Sequence, residues 1–203
     1  MTKSATAGSA SPRYGSREGL KAPAIPGQPD MWVLVMIEAL TFSAYFVVYT
    51  VFYKRSPELF LQSQAHLNLP LGVFNTVVLL TSSWSIARCV ERSRAGDYSA
   101  ALRNAYLTMA GGVVFTALKL YEWSVEIGNG YTFTTDAFFS FYYFLTAMHL
   151  LHVLVGFIAL GVIIYQIRSP QRRSQEIIET GATYWHMVDF MWVIIFALIY
   201  VMR

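Results

Sequence analysis

From Met31 onward the chain alternates between long runs with almost no polar residue and short polar stretches. A hydrocarbon layer of ~30 Å takes ~20 helical residues to cross. Five runs reach that length, roughly Met31–Tyr53, Pro70–Val90, Ala105–Ile127, Ala137–Ile167 and Ala182–Met202. Their apolar residues are continuous rather than alternating, which argues against barrel strands. The pattern predicts an all-α fold, an integral membrane bundle of five transmembrane helices. The fourth run exceeds the length a span needs, so it should tilt or emerge from the bilayer at one end.

The polar stretches between the runs carry turn chemistry. Ser56-Pro57 opens the first loop, Lys54 to Asn68, which is expected along the outer interface. The second is short and charged. In the third, Gly128-Asn129-Gly130 makes a turn, Thr134 or Thr135 is expected to cap the fourth helix, and Asp136 falls in its first turn. The fourth, Arg168 to Gly181, contains Ile177 and Ile178, which suggest a short interfacial turn of helix. Short loops make sequential helices antiparallel neighbours, so residues 29–203 should form one domain. Residues 1–28 are rich in Ser, Ala, Gly and Pro without an apolar run, and are expected to be a disordered cytoplasmic tail with no secretory signal.

Composition agrees: the chain is 55% hydrophobic and 13% charged, where soluble domains carry about 25% charged residues. Charge then sets orientation. Lys and Arg gather in the tail (Lys3, Arg13, Arg17, Lys21), around the second loop (Arg88, Arg92, Arg94, Arg103) and at the fourth (Arg168, Arg172, Arg173). The positive-inside rule puts the N-terminus in the cytoplasm and, after five crossings, the C-terminus outside. No basic run is interleaved with aromatics, so no nucleic-acid partner is expected. The single Cys89 permits no internal disulfide or cysteine-rich metal site and suits packing.

Ionisable groups at the centre of a membrane helix cost ~2.5–3.5 kcal/mol on insertion scales, so each asks for a partner or a function. Glu38, Asn75, Lys119, Glu122, His149, His152, Glu179, His186 and Asp189 all fall within or beside the apolar runs. Lys119 and Glu122, three apart, share a helix face and could pair. His149 and His152 sit in "FLTAMHLLHVLVG", about 60° apart around a helix. They could ligate a metal with Glu122 or His186, but the chain has none of the Glu-x-x-His pairs of dimetal bundles. A haem would need a second axial histidine at matching depth, for which His186 is the candidate. The third option, favoured here, is an interhelical polar network in which bonds average ~0.6 kcal/mol in membranes. Glu38 has no Lys, Arg or His within one turn and is either a proton-exchanging carboxyl or a structural one bonded to a neighbouring hydroxyl. A transporter lacks support, because no helix has paired Gly/Pro breaks. Gly111-Gly112 suits close helix packing instead.

Several segments resemble subunit III of the haem-copper respiratory oxidases. "YWHMVDFMW", Tyr184 to Trp192, is similar to that family's YWHFVDVVW signature, with Glu179 seven residues before His186 as the family places it. "FLTAMHLLHVLVG" resembles its ATGFHGLHVIIG segment, and "MWVLVMIEALTFSAYF" the helix of its membrane-embedded, carbodiimide-reactive glutamate, here Glu38. "NTVVLLTSS" and Glu122 also resemble family positions, while Lys119 stands where Gln is usual and Ala147 and Leu150 replace glycines. The resemblance spans roughly residues 31–203 and implies a non-catalytic subunit of a terminal oxidase in a bacterial cytoplasmic membrane. On it, this chain carries no cofactor, haem and copper belong to the partner subunit I, other oxidase subunits and membrane lipid are neighbours, and a phospholipid can fill a cleft. Seven-helix members close that cleft with two further N-terminal helices, to which none of the five apolar runs here is expected to correspond. The embedded carboxyl is implied to sustain proton uptake and protect against inactivation during turnover. The short form is most similar to the NorE-type branch associated with nitric oxide reductase, which is one alternative; the other is a stand-alone membrane haem or metal protein using His149, His152 and His186.

Overall fold

The computed structural model describes residues 28–202, and the expected disordered tail, up to residue 27, lies outside the described residues. Five long helices and one short one follow in order: α1 (Pro29–Arg55), α2 (Pro57–Gln64), α3 (Leu69–Arg94), α4 (Tyr98–Gly128), α5 (Ala137–Arg168) and α6 (Gln175–Phe196). A 3-10 turn (Pro170–Arg172) precedes α6 and a π-helical turn (Ala197–Val201) extends it. Among the described residues there is no strand.

Four helices, α1, α3, α5 and α6 with its extension, are long and apolar enough to cross a membrane by length and composition. The expectation was five. Helix α4 has the length, 31 residues, but Lys119, Glu122 and Glu126 lower the hydropathy of its second half. All three side chains are nonetheless buried, so the polarity of α4 is turned inward against its neighbours.

Helices α3, α4, α5 and α6 pack in a ring, each against the next, and α6 closes back on α3. Tryptophans stitch α6 to α3: Trp185 Nε1 donates to Ser82 Oγ and Trp192 Nε1 to Thr76 Oγ1, both at 3.0 Å. Glycines on α4 and α5 make room for the Trp185 ring. A Cβ at Gly112 would stand 2.7 Å from the rings of Phe157 and Trp185, and one at Gly156 2.8 Å from Trp185. Gly111, the other half of the expected packing pair, faces Ser82 at 2.8 Å in the same sense.

Helix α1 lies outside the ring. Its most apolar stretch is only 6% buried, and it is held by edge-to-face aromatic pairs to α5, Tyr45 with Phe144 and Tyr49 with Phe141. The first loop folds into α2, which buries Phe60, Ser63 and Gln64 over the end of the bundle where α5 begins. Ser63 Oγ donates to Asp136 at 2.6 Å. Asp136 itself caps α5 by accepting from the Phe139 amide at 2.8 Å. That corrects the assignment of the cap to Thr134 or Thr135: a carboxylate accepts more strongly than a hydroxyl, and Thr135 Oγ1 is used inside the loop by the Thr132 amide. Ile177 and Ile178 do not form a separate interfacial turn, because Ser174 caps a helix that runs on unbroken from Gln175.

Candidate functional site

The polar residues predicted to form one interhelical network are distributed over several separate places. The most enclosed centres on Lys119. Its side chain is 1% exposed, and Nζ donates to Glu122 Oε2 at 3.2 Å, Tyr142 Oη at 3.3 Å and Tyr200 Oη at 2.7 Å. An ammonium has three protons to donate, and all three are used. The hydroxyl of Tyr142 donates on to Glu122 Oε1 at 3.1 Å, and that of Tyr200 to the same oxygen. The loop of donors and acceptors is closed, with the ammonium also over the rings of Tyr142, Trp192 and Tyr200 at 4.6, 5.3 and 5.2 Å. Such a buried pair tolerates desolvation because all three ammonium protons and both carboxylate oxygens are hydrogen-bonded.

The π-helical turn completes this cluster. Its wider winding lets consecutive residues Ile199 and Tyr200 both turn inward, at 0% and 2% exposure. The carbonyls left over where the helix ends are taken by side chains, Leu198 O by the Tyr49 hydroxyl at 3.0 Å and Ile199 O by Gln64 Nε2 at 2.9 Å. One turn beyond Glu122, Glu126 is buried with Oε2 unpartnered.

His149 and His152 part company. His149 is fully buried against the rings of Phe115 and Trp192, 5.5 and 5.1 Å between centroids, with neither nitrogen hydrogen-bonded. His152 points toward α1, where Nε2 lies 3.2 Å from Glu38 Oε2. Its Nδ1 is 2.8 Å from the Met148 carbonyl, and Phe42 meets its ring edge-on at 5.5 Å. The 60° between the two positions is enough to send one imidazole into the ring of helices and the other out to α1. Glu38, without a basic neighbour in sequence, finds one on another helix.

Toward the end where α6 begins, His186 Nδ1 and Ser83 Oγ are 2.7 Å apart, and Glu179 pairs with Arg94 at 2.8 Å and accepts from Gln175 at 2.9 Å. Asp189 is buried with Ser83 as its polar neighbour. Asn75 donates to the Phe115 carbonyl at 3.4 Å. The three histidines proposed for a haem or metal therefore face Phe115 and Trp192, Glu38, and Ser83, and do not converge. Among the described residues no group of three or more His, Cys, Asp or Glu is placed to hold a metal ion.

A family model described as cytochrome c oxidase subunit III matches residues 29–203, the whole helical region. The chain belongs to the cytochrome c oxidase subunit III family. Among its curated relatives, cytochrome c oxidase subunit 3 of Synechocystis sp. is 28% identical over 185 residues, covering 87% of this chain and 78% of its own. A probable cytochrome c oxidase subunit 3 of Nocardia farcinica is 29% identical over 170 residues, 82% of this chain and 83% of its own. Cytochrome c oxidase subunit 3 of Bacillus sp. PS3 is 27% identical over 181 residues, covering 84% and 83%.

Within this subunit III fold, two groups escape a reading of the sequence. Tyr142 and Tyr200 look like ordinary aromatic core until the fold brings them to Lys119. Glu126 carries a signal that could have found it: it follows Lys119 and Glu122 at helical spacing, i+7 and i+4, and so shares their face.

Proposed function

We propose that the chain is a non-catalytic integral membrane subunit of a bacterial terminal oxidase, crossing the cytoplasmic membrane five times with its N-terminus inside. The match of the family model to the entire helical region carries this reading. Helix α4 is the fifth crossing, its charges shielded by the ring. Haem and copper are held by the catalytic subunit I, against which this chain packs with the other oxidase subunits. The relatives' names favour an oxygen-reducing parent over a nitric oxide reductase. An apolar groove of about 300 Å³ between α1 and α6, lined by Trp32, Phe42, Phe46 and Phe190 among others, suits the acyl chain of a phospholipid.

Two sites have distinct tasks. The closed Lys119–Glu122–Tyr142–Tyr200 cluster locks α4, α5 and α6 together. Glu38, at the edge of the bundle and linked to the ring through His152, exchanges protons in support of uptake by subunit I. The test is the assembled oxidase carrying Glu38→Gln or Glu38→Ala, followed over many turnovers. Both variants should begin near the wild-type rate and lose activity progressively faster. Wild-type durability in both contradicts the proton role.

A further inference from the structure

The contact between Glu38 and His152 carries more than proximity, because the second nitrogen of the imidazole fixes what the first can do. A backbone carbonyl only accepts hydrogen bonds. With Met148 O at 2.8 Å from Nδ1, that nitrogen must bear the proton. The question is then how many protons lie between Nε2 and Glu38 Oε2, 3.2 Å apart. With none, a lone pair faces a carboxylate and the pair is a net anion in an apolar setting. With two, it is a net cation. With one, it is neutral overall, and the proton is shared between Oε2 and Nε2 in a single hydrogen bond.

We infer that Glu38 and His152 hold a single proton between them, with His152 as the positioning residue that keeps Nε2 aimed at the Glu38 carboxyl through its Nδ1–H bond to Met148. The groups around the pair supply no rival. From α6, Tyr184 donates its hydroxyl to the His152 carbonyl at 3.3 Å, away from the imidazole nitrogens. From α5, His149 is turned into the ring of helices. From α6, His186 faces Ser83. From α1, Phe42 offers a ring edge. The pair lies at the rim of the bundle, with the Glu38 and His152 side chains 23% and 14% exposed, apart from the enclosed Lys119 cluster.

The inference rests on the proposed role of Glu38 for its use in the enzyme, but the pair itself is read directly. In membranes containing the complete oxidase with ¹⁵N-labelled histidine, solid-state NMR distinguishes protonated from bare ring nitrogens. The His152 signals are assigned by their loss in His152→Gln. The expected result is a protonated Nδ1 and an Nε2 shift between the protonated and bare values. In Glu38→Gln, whose amide donates to Nε2, that nitrogen should move fully to the bare value while Nδ1 stays protonated. A bare Nδ1 in the wild type, or an Nε2 shift indifferent to Glu38→Gln, overturns the inference. Failure of the durability test with this signature intact would instead reject the proton role and leave the pair standing.

Discussion

Lys119 spends every donor it has inside the bundle, which makes it the residue where a single change has the most to reveal. Lys119→Met would leave Glu122 as an uncompensated buried carboxylate, and breaking one side of a buried ion pair costs about 3–5 kcal/mol. Adding Glu122→Gln removes the stranded charge while keeping acceptors for the Tyr142 and Tyr200 hydroxyls. Thermal unfolding of the purified complex should show a large drop for the single variant and recovery of more than half of it in the double. An equal drop in both would mean the pair is not balanced as described. At this scale sequence gives the pairing of Lys119 with Glu122, since three residues apart is a local relation. It does not give Tyr142 and Tyr200, which reach the ammonium from other helices, or the bond from His152 to Glu38.

At the scale of helices, packing is set by small residues facing large ones. Trp185 is fully buried between Gly112 and Gly156. Because the indole is also tied to Ser82, it cannot swing aside, so Gly156→Val or Gly112→Val should cost about 1–3 kcal/mol, the usual range for overpacking. A lowered unfolding midpoint with helical content intact is the expected reading. Helix ends make a second prediction. Asp97 caps α4, and its carboxyl is held below the ordinary range first by the Ala100 amide and then by the Ser99 hydroxyl, with Arg92 contributing. A depressed carboxyl stabilises the fold above its unfolded value and loses that contribution as pH falls through the folded one. Asp97→Asn retains a capping oxygen, so stability measured against pH should lose part of its acid limb in that variant and change little near neutrality. The helices themselves are plain in the hydrophobic pattern. Their ends are less so: Asp136 outcompetes Thr134 and Thr135 as a cap, and α2 emerges from a loop because Phe60 has the end of the bundle to bury against.

For the molecule as a whole, the ring of α3 to α6 with α1 leaning on its outside explains how so many ionisable groups share a membrane chain. The charges of α4 are tolerable because three other helices surround them, a property of the assembly that no windowed hydropathy detects. The orientation predicted from Lys and Arg is open to direct test. Single cysteines placed at Ser99 and at Thr134, in a Cys89→Ser background, should be labelled by an impermeant thiol reagent from opposite sides of the membrane, Ser99 from the cytoplasm. Labelling of both from one side would mean that α4 does not cross.

The most direct test of the account is to purify the tagged chain from its native membrane in mild detergent, record its visible spectrum and metal content, and then strip it of partners. The account predicts that a haem-copper catalytic subunit copurifies, and that haem and copper leave with it while this chain keeps its helices. A chain that purifies without such a subunit, or that retains haem or copper once alone, would contradict it.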